Sequence, residues 1–293
     1  MKKVLVLGST GLLGKSIYDY SKKKYETKGI ARKDADYNFS LTNSKKLKKV
    51  ILKSEPNVIF NCAAITSVDE CQKNPNNCFK INADLVCRIN EIIKTTKTKF
   101  IHISTDHFYP IGKKRKWKEE DNLSILNLYA KSKYMAEIYA LYGNQSNLII
   151  RTNFLGLNFG HNSINFSEWF FKKIQKNDKI ELFKDYYHSP IYVHDLTKVI
   201  FELIKKNAEG IFNVSSRDVA SKLEFGRLIF SELKKKKNIT IKSVKSLKVR
   251  RACNNGLNVN KVENFLGKKM PKYKVAAEKL VKEYKYLNEN PIL

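Results

Sequence analysis

Residues 3–14 read KVLVLGSTGLLG, an apolar run that meets a glycine-rich turn at Gly8. A continuous apolar run of this length is typical of a parallel strand that is buried on both faces. Leu12, Leu13 and Ile17 follow with the spacing of an amphipathic helix. The stretch therefore predicts a strand, a tight turn and a helix.

The glycines of this turn have the spacing G-x-x-G-x-x-G. Glycines permit a tight turn and a close approach of the backbone to a ligand, and a helix N-terminus offers unpaired N–H groups to a pyrophosphate. Glycines can also end a strand for structural reasons alone, but the position at the first strand-to-helix turn favours a dinucleotide site. The predicted cofactor loop consists of Gly8, Ser9, Thr10, Gly11, Leu12, Leu13 and Gly14.

Short apolar runs alternate with segments of helical spacing up to about residue 155. The runs lie at 58–60, 100–103 and 148–150, and the helical segments include 79–93 and 129–141. Because parallel strands need crossover connections, this alternation predicts an α/β fold with a doubly wound parallel sheet of the Rossmann type. We predict a dinucleotide-binding domain and a smaller C-terminal substrate-binding lobe. The domain spans 1–155, with about 188–214 returning to it, and the lobe consists of 156–187 and 215–293.

The composition limits the partners and the compartment. The net charge of +28 comes from 56 Lys and Arg against 28 Asp and Glu. The lysines form short clusters along the whole chain, which is typical of solvated surfaces and of steering a phosphate-bearing small molecule, so we predict no nucleic-acid partner. The five cysteines include no C-x-x-C pair, which favours reduced thiols over a metal site. No run approaches the roughly 18 apolar residues of a membrane span, and no export signal is visible, so we predict a cytoplasmic protein without a membrane partner.

Arg32 and Lys33 follow the predicted second strand. An NAD enzyme usually places an acid about 20 residues after the glycine loop, where it binds the ribose hydroxyls. A cation at this point can pair with a 2′-phosphate, so NADP is the favoured cofactor. The alternative is that both cations are solvated surface charges, and Asp34 and Asp36 keep NAD open as the cofactor.

Tyr129 and Lys133 are four residues apart in a predicted helix, which places them on one face. An ammonium beside a phenol favours phenolate and lowers the tyrosine pKa toward the range in which it can transfer protons. The pattern Y-x-x-x-K alone also fits a surface helix. Thr105 strengthens the catalytic interpretation, because it follows the predicted strand 100–103 at the edge where open α/β sheets bind ligands.

Four motifs occur in the order and spacing of the extended short-chain dehydrogenase/reductase family, and the chain resembles that family. They are the glycine loop 8–14, Asn61-Cys62-Ala63-Ala64, Ser104-Thr105-Asp106 and Tyr129-x-x-x-Lys133. Residues 61–69, 103–106 and 189–193 resemble in particular the subgroup of dTDP-4-dehydrorhamnose reductases. The resemblance implies NAD(P)H-dependent reduction of a nucleotide-activated 4-keto sugar in the synthesis of a surface polysaccharide. A nucleotide sugar is then the substrate, and a homodimer is left open.

The resemblance also implies roles for individual residues. Tyr129 is the proton donor, Lys133 holds the nicotinamide ribose and tunes Tyr129, and Thr105 orients the carbonyl. The residues implied to line the cofactor trough are Asn61, Cys62, Ala63 and Ala64. The residues implied to face the substrate are Asp106, His107 and Asn153. Segment 151–153 is expected to close over the nicotinamide and the sugar, and Asn82 either supports the trough or makes an ordinary contact within a helix.

His107 departs from the patterns of the resembling enzymes. Sugar 4,6-dehydratases carry glutamate at this position, fucose-forming epimerase/reductases carry cysteine, and the rhamnose reductases carry tyrosine. The missing glutamate weighs against a dehydratase, while a histidine can act as an acid or base in epimerisation or simply bind a hydroxyl. Two alternatives to a reductase stay open: an epimerase/reductase, and a catalytically idle cofactor-binding subunit similar to the regulatory subunit of methionine adenosyltransferase. We predict ordinary structural or surface roles for His102, His161 and His188.

Overall fold

The computed structural model describes residues 2–109, 116–144, 146–158, 165–236 and 238–290, so the predicted role of His161 lies outside the described residues. The chain divides into two units. Unit 1 consists of residues 1–105, 125–151 and 197–212, and unit 2 consists of residues 106–124, 152–196 and 213–293. The predicted assignment of cofactor binding and substrate binding to separate parts of the chain stays a prediction.

The strands are numbered in chain order. They are β1 (Lys3–Leu7), β2 (Glu26–Ala31), β3 (Tyr37–Asn38), β4 (Val58–Asn61), β5 (Lys99–Ile103), β6 (Leu148–Arg151), β7 (Phe154–Leu155), β8 (Ile180–Phe183), β9 (Tyr187–His188), β10 (Ile191–Tyr192), β11 (Gly210–Asn213), β12 (Ala220–Ser221), β13 (Ile239–Lys242) and β14 (Asn254–Asn255).

The helices are numbered in the same way. They are α1 (Leu12–Lys22), α2 (Ser44–Ser54), α3 (Val68–Lys73), α4 (Pro75–Phe79), α5 (Leu85–Ile93), α6 (Leu128–Gly143), α7 (Phe166–Gln175), α8 (Val193–Lys205), α9 (Lys222–Glu232), α10 (Asn260–Leu266) and α11 (Tyr273–Glu289). A π-helical segment, Lys80–Asp84, joins α4 to α5, and Val244–Ser246 forms a short 3-10 helix.

A seven-stranded sheet has the order β11-β6-β5-β4-β1-β2-β3. Strand β1 is parallel to β2 and β4, β2 to β3, β4 to β5, and β5 to β6. The order reverses at β1, between β2 and β4, and a crevice at the carboxyl ends of the strands forms at such a point. Gly8 follows β1 and Cys62 follows β4 at this point, and the Cys62 N–H donates to the Leu7 carbonyl at 3.0 Å. The predicted doubly wound fold is confirmed.

The core of unit 1 explains why its strands read as apolar runs. The central strands are covered on both faces, so nearly every side chain of β1, β4, β5 and β6 is buried. Helices α2 and α5 each contribute one apolar face to this core, through Leu47 and Ile89. The predicted helix 79–93 corresponds to the last residue of α4, the π-helical segment and α5, and the predicted helix 129–141 lies within α6.

Unit 2 has a separate apolar core that is rich in aromatic residues from α7, α9 and α11. Two of these helices begin with a capping box, Asn165 with Glu168 in α7 and Ser221 with Glu224 in α9, which satisfies N–H groups at the helix start. Strand β8 pairs in parallel with β13, and β9 lies between β12 and β14. No helix within the described part of the chain is both long enough and apolar enough to cross a membrane.

Candidate active site

At two positions in the loop after β1, only glycine fits the backbone. Gly8 has a φ of +75°, in the left-handed region, and a Cβ there would lie 3.0 Å from the Ala63 backbone. A Cβ on Gly14 would lie 2.0 Å from the Gly8 carbonyl oxygen. Gly8 therefore lies too close to the residues after β4, and Gly14 too close to Gly8, for either position to carry a side chain.

The same loop fits a dinucleotide. Helix α1 begins after Gly11 with no side-chain cap and no acidic residue in its first turn. The first N–H groups of a helix have no partner within it, and they carry the positive end of the helix dipole. Leu13 is buried in the core, so its contribution to a ligand comes from the backbone. The hydroxyl of Ser9 is buried and has no hydrogen-bond partner in the described structure, which leaves it available to a bound group.

Arg32 and Lys33 follow β2 and are exposed. The Oδ2 atom of Asp36 accepts the Gly29 N–H at 2.8 Å, and its Oδ1 atom lies 3.4 Å from the Lys28 ammonium. Burial raises the pKa of Asp36, but the hydrogen bonds from Gly29, Tyr18 and Lys28 outweigh burial and lower it. Asp36 is one of the two acidic residues that leave NAD possible as the cofactor, and its carboxylate is engaged with protein groups.

The end of β4 contributes Asn61 and Cys62. Asn61 is buried, its Oδ1 accepts the Ala63 N–H at 3.3 Å, and its Nδ2 lies 3.2 Å from Nδ1 of His102. Burial raises the pKa of Cys62 to about 12, which keeps this thiol protonated. Cys62, Ala63 and Ala64 are half-buried, as a cofactor trough of small side chains requires.

Asn82 ties the residues after β4 to the helix that carries Tyr129. Its Oδ1 accepts the Ile65 N–H at 2.8 Å, and its Nδ2 donates to the Ile65 carbonyl and to Ser132 Oγ, both at 3.0 Å. The Ser132 hydroxyl in turn donates to the Tyr129 carbonyl at 2.8 Å. Asn82 lies in the π-helical segment, a type of irregularity that is frequent at functional sites. Of its two predicted roles, these contacts favour support of the trough.

Helix α6 places Tyr129 and Lys133 one turn apart, both buried. The Lys133 ammonium donates to the Ile103 carbonyl at 2.6 Å, and its Nζ lies 3.0 Å from Nε2 of His102. These contacts join α6 to the carboxyl end of β5, where Thr105 follows, itself 4% exposed. Burial lowers the pKa of Lys133 to about 8, although Glu137 and two thiols raise it.

Arg151 and Glu137 form a buried ion pair beside this group. Arg151 Nη2 lies 2.7 Å from Glu137 Oε2, and the two side chains are 3% and 2% exposed. Glu137 lies one helical turn after Lys133 on α6, and Arg151 ends β6. Segment 151–153 is expected to close over the nicotinamide and the sugar. The guanidinium of Arg151, its first residue, pairs with Glu137 and so links α6 to the sheet.

Unit 2 contains a second polar group, formed by the predicted substrate residues. Asn153 Nδ2 donates to Asp106 Oδ2 at 2.9 Å. His107 Nε2 lies 3.1 Å from Tyr186 Oη and 3.7 Å from Asp106 Oδ1. Burial, with the positive charges of Arg251 and Lys222, lowers the pKa of His107 to about 3, so its imidazole is neutral at physiological pH.

Sequence reasoning missed Tyr186, Lys222 and Arg251 in this group. Lys222 lies at the start of α9 with its Nζ 4.1 Å from the Phe166 ring centroid, and burial lowers its pKa to about 8. A lysine in a chain this rich in lysine carries no signal of its own, so only the three-dimensional contacts single it out.

The seven-stranded doubly wound sheet, the glycine loop after β1 and the buried Tyr129 and Lys133 are the features of enzymes of the extended short-chain dehydrogenase/reductase type. The chain belongs to the family described as the RmlD substrate binding domain, whose model matches residues 1–286. The predicted family is confirmed.

The chain is similar to two relatives by sequence and to one solved structure, as follows. The spore coat polysaccharide biosynthesis protein SpsK of Bacillus subtilis is 28% identical over 235 residues, which cover 79% of this chain and 80% of that protein. A dTDP-4-dehydrorhamnose reductase of Aggregatibacter actinomycetemcomitans is 27% identical over 240 residues, 79% of each chain. The crystal structure of dTDP-4-dehydrorhamnose reductase from Bacillus anthracis in complex with NADP matches with a TM-score of 0.87 at 26% identity, covering 97% of this chain and 100% of that chain.

Proposed function

We propose that this protein reduces the 4-keto group of a nucleotide-activated sugar of the dTDP-4-dehydrorhamnose type, with NADPH as the reductant. The observation that carries the proposal is the buried Lys133, which lies one turn after Tyr129 and bonds to the carboxyl end of β5 just before Thr105. The relatives named as dTDP-4-dehydrorhamnose reductases, and the NADP in the complex from Bacillus anthracis, support the substrate class and the cofactor.

The cofactor is held by the loop after β1 and by the ends of the two neighbouring strands. The N–H groups at the start of α1 suit the diphosphate, and the exposed Arg32 and Lys33 suit a 2′-phosphate. The Asp36 carboxylate already accepts from Gly29 and lies beside Lys28. This arrangement favours NADP over NAD.

When bound, NADPH supplies the hydride for the ketone carbon. Tyr129 donates its phenolic proton to the ketone oxygen, and the Thr105 hydroxyl donates a hydrogen bond to the same oxygen. Lys133 has one N–H group on Ile103 and offers another to the nicotinamide ribose. The complete set of Thr105, Tyr129 and Lys133 favours an enzyme over an idle cofactor-binding subunit.

The sugar is bound by the unit 2 group of Asp106, His107 and Asn153. His107 is neutral and lies within hydrogen-bond distance of Tyr186. We therefore assign it to hydrogen bonding with a sugar hydroxyl and not to acid–base catalysis. SpsK, a relative named for polysaccharide biosynthesis, supports a place in surface polysaccharide synthesis. The cytoplasmic location and a homodimer stay predictions.

The test is NADPH oxidation by the purified chain with a panel of nucleotide-linked 4-keto sugars, compared with the Tyr129→Phe variant. Substrate-dependent oxidation that is lost in the variant supports the proposal. Binding of NADPH without turnover of any 4-keto sugar identifies an idle subunit. Solvent deuterium at a sugar carbon next to the ketone identifies an epimerase/reductase.

A further inference from the structure

Two cysteine side chains lie together beside Asn82 in unit 1. Cys71 belongs to α3 and Cys78 to α4, and both are free thiols that are fully buried. A hydrogen bond joins the two thiols. The Nδ2 atom of Asn82 lies 4.0 Å from the Cys71 sulfur and 3.5 Å from the Cys78 sulfur, so one amide group contacts both. The fold therefore holds two thiols within reach of each other.

The surroundings of Cys71 keep its proton on the sulfur. The hydrogen bond to Cys78 raises the pKa of Cys71, and burial and the nearby Glu70 charge raise it further. The Cys71 sulfur also lies 3.6 Å from the Ile65 carbonyl oxygen, which can only accept a hydrogen bond. Cys71 is therefore the thiol that stays protonated in this pair.

The surroundings of Cys78 favour its thiolate. The hydrogen bond from Cys71 lowers the pKa of Cys78, as do Ser132, the positive charge of Lys133 and the Asn82 amide, although burial raises it. The Ser132 oxygen lies 3.3 Å from the Cys78 sulfur. A thiolate, and not a thiol, is the form that attacks an oxidant. Cys78 is therefore the nucleophile of the pair.

The other three cysteines provide a comparison within the same chain. Burial raises the pKa values of Cys62, Cys87 and Cys253. Cys87 and Cys253 are half-buried, so they are more accessible than the pair on α3 and α4. An oxidant that reacts according to access therefore modifies Cys87 or Cys253 first, whereas one that reacts according to thiolate character modifies Cys78 first.

We propose that Cys71 and Cys78 are a redox modification site, which a hydroperoxide converts into a reversible disulfide. The Cys78 thiolate attacks the peroxide, so that an S–O bond forms, the O–O bond breaks, and the leaving hydroxide takes up the proton that Cys78 released. The Cys71 sulfur then attacks the sulfenic sulfur, so that the S–S bond forms, the S–O bond breaks, and a second water carries the Cys71 proton. The thiols lose two electrons, the peroxide gains them, and a dithiol reverses the reaction.

The disulfide changes the contacts of Asn82, which ties the residues after β4 to α6. It replaces the hydrogen bond between the sulfurs by a covalent bond and removes both S–H groups. The contacts of Cys78 with Ser132 and of Cys71 with Ile65 then lose their proton. The segment after β4 is held less firmly as a result, so we expect weaker NADPH binding. This effect on the cofactor rests on the proposed function.

The test treats the purified protein with dilute hydrogen peroxide, removes the excess with catalase, alkylates the remaining thiols in denaturant and maps the peptides by mass spectrometry. Trypsin cuts after Lys73, between the two cysteines, so peptides 54–73 and 74–80 stay joined only by the disulfide. The expected product is this linked pair, with Cys87 and Cys253 alkylated, and dithiothreitol separates it. Oxidation of Cys87 or Cys253 while both peptides carry alkylated thiols overturns the proposal.

Cysteine variants identify which sulfurs form the link. Cys62 lies in the same peptide as Cys71, so the oxidation is repeated with Cys71→Ser. No link should form in this variant or in Cys78→Ser, whereas Cys253→Ser should keep it. A link that persists in Cys71→Ser involves Cys62 and overturns the assignment. If a serine variant does not fold, the absence of the linked peptides from the oxidised parent protein still overturns the proposal.

The second readout is the affinity for NADPH, measured by calorimetry before and after oxidation. The linked protein should bind NADPH about fivefold more weakly, the scale of one lost hydrogen bond, and dithiothreitol should restore the affinity. Peroxide should leave the affinity of Cys71→Ser unchanged. An unchanged affinity in the fully linked parent protein overturns the effect on the cofactor. Peptide mapping needs no substrate, so a failed reductase assay and a missing disulfide are separate results.

Discussion

The buried ion pair between Glu137 and Arg151 makes a strong prediction about stability. Glu137→Gln preserves the side-chain volume but removes the negative charge that lies 2.7 Å from the buried Arg151 guanidinium. Breaking a buried pair by removing one partner costs about 3–5 kcal/mol. The glutamine oxygen still accepts one hydrogen bond, so we expect a loss at the lower end, about 3 kcal/mol. This is a large part of the roughly 5–15 kcal/mol by which a domain is stable.

An exposed pair with the same separation provides the control. Lys15 and Asp19 are also 2.7 Å apart, but their side chains are 49% and 51% exposed. Exposed pairs contribute about 0–1 kcal/mol, so Asp19→Asn should change the free energy of unfolding by less than 1 kcal/mol. The assay is urea denaturation of both variants and the parent protein. Equal losses in the free energy of unfolding for Glu137→Gln and Asp19→Asn would refute this prediction, because it depends on the difference in burial between the two ion pairs.

Four further outcomes are expected. Tyr129→Phe should lower kcat for a 4-keto sugar by about 10²–10⁴-fold with little change in NADPH affinity, and near-full turnover would exclude Tyr129 as the proton donor. Replacing Arg32 and Lys33 together by alanine should weaken NADPH binding by about 1–3 kcal/mol in calorimetry and leave NADH binding unchanged, whereas equal losses would reject the 2′-phosphate assignment. His107→Gln should keep turnover within about tenfold, since Tyr129 already supplies the proton, and a loss of about 10²-fold or more would make His107 an acid–base group. Lys133 titrates near pH 8 when folded and near 10.5 when unfolded. Between these values the unfolded chain binds more protons, so the stability of the parent relative to Lys133→Met should rise with pH across that window in denaturation curves, and a flat or falling difference would contradict the lowered pKa.

Local sequence determined the framework of unit 1. The apolar run 3–7 and the glycines after it specify a buried parallel strand and a tight turn, and the structure has β1, a left-handed Gly8 and α1 there. The spacing of Tyr129 and Lys133 placed them on one face of a helix, and that helix is α6. These features are readable because strand burial and helical periodicity are encoded by residues that are close together in the chain.

Only the tertiary structure decided which buried polar side chains meet. Asn61 and His102 are 41 residues apart, yet the pairing of β4 with β5 places them directly opposite each other. The sequence predicted an ordinary structural role for His102, because a single histidine in an apolar strand does not reveal its neighbours.

The same reason applies to the other long-range polar contacts. Segment 151–153 is expected to close over the nicotinamide and the sugar, and its pattern does not reveal that the Arg151 guanidinium pairs with Glu137 on α6. Lys222 has no local pattern that distinguishes it from a surface lysine, but it contributes to the lowered pKa of His107. A buried polar group must be paired, but its partner is set by strand register and by the path of the crossovers, and neither is contained in the local periodicity of the chain.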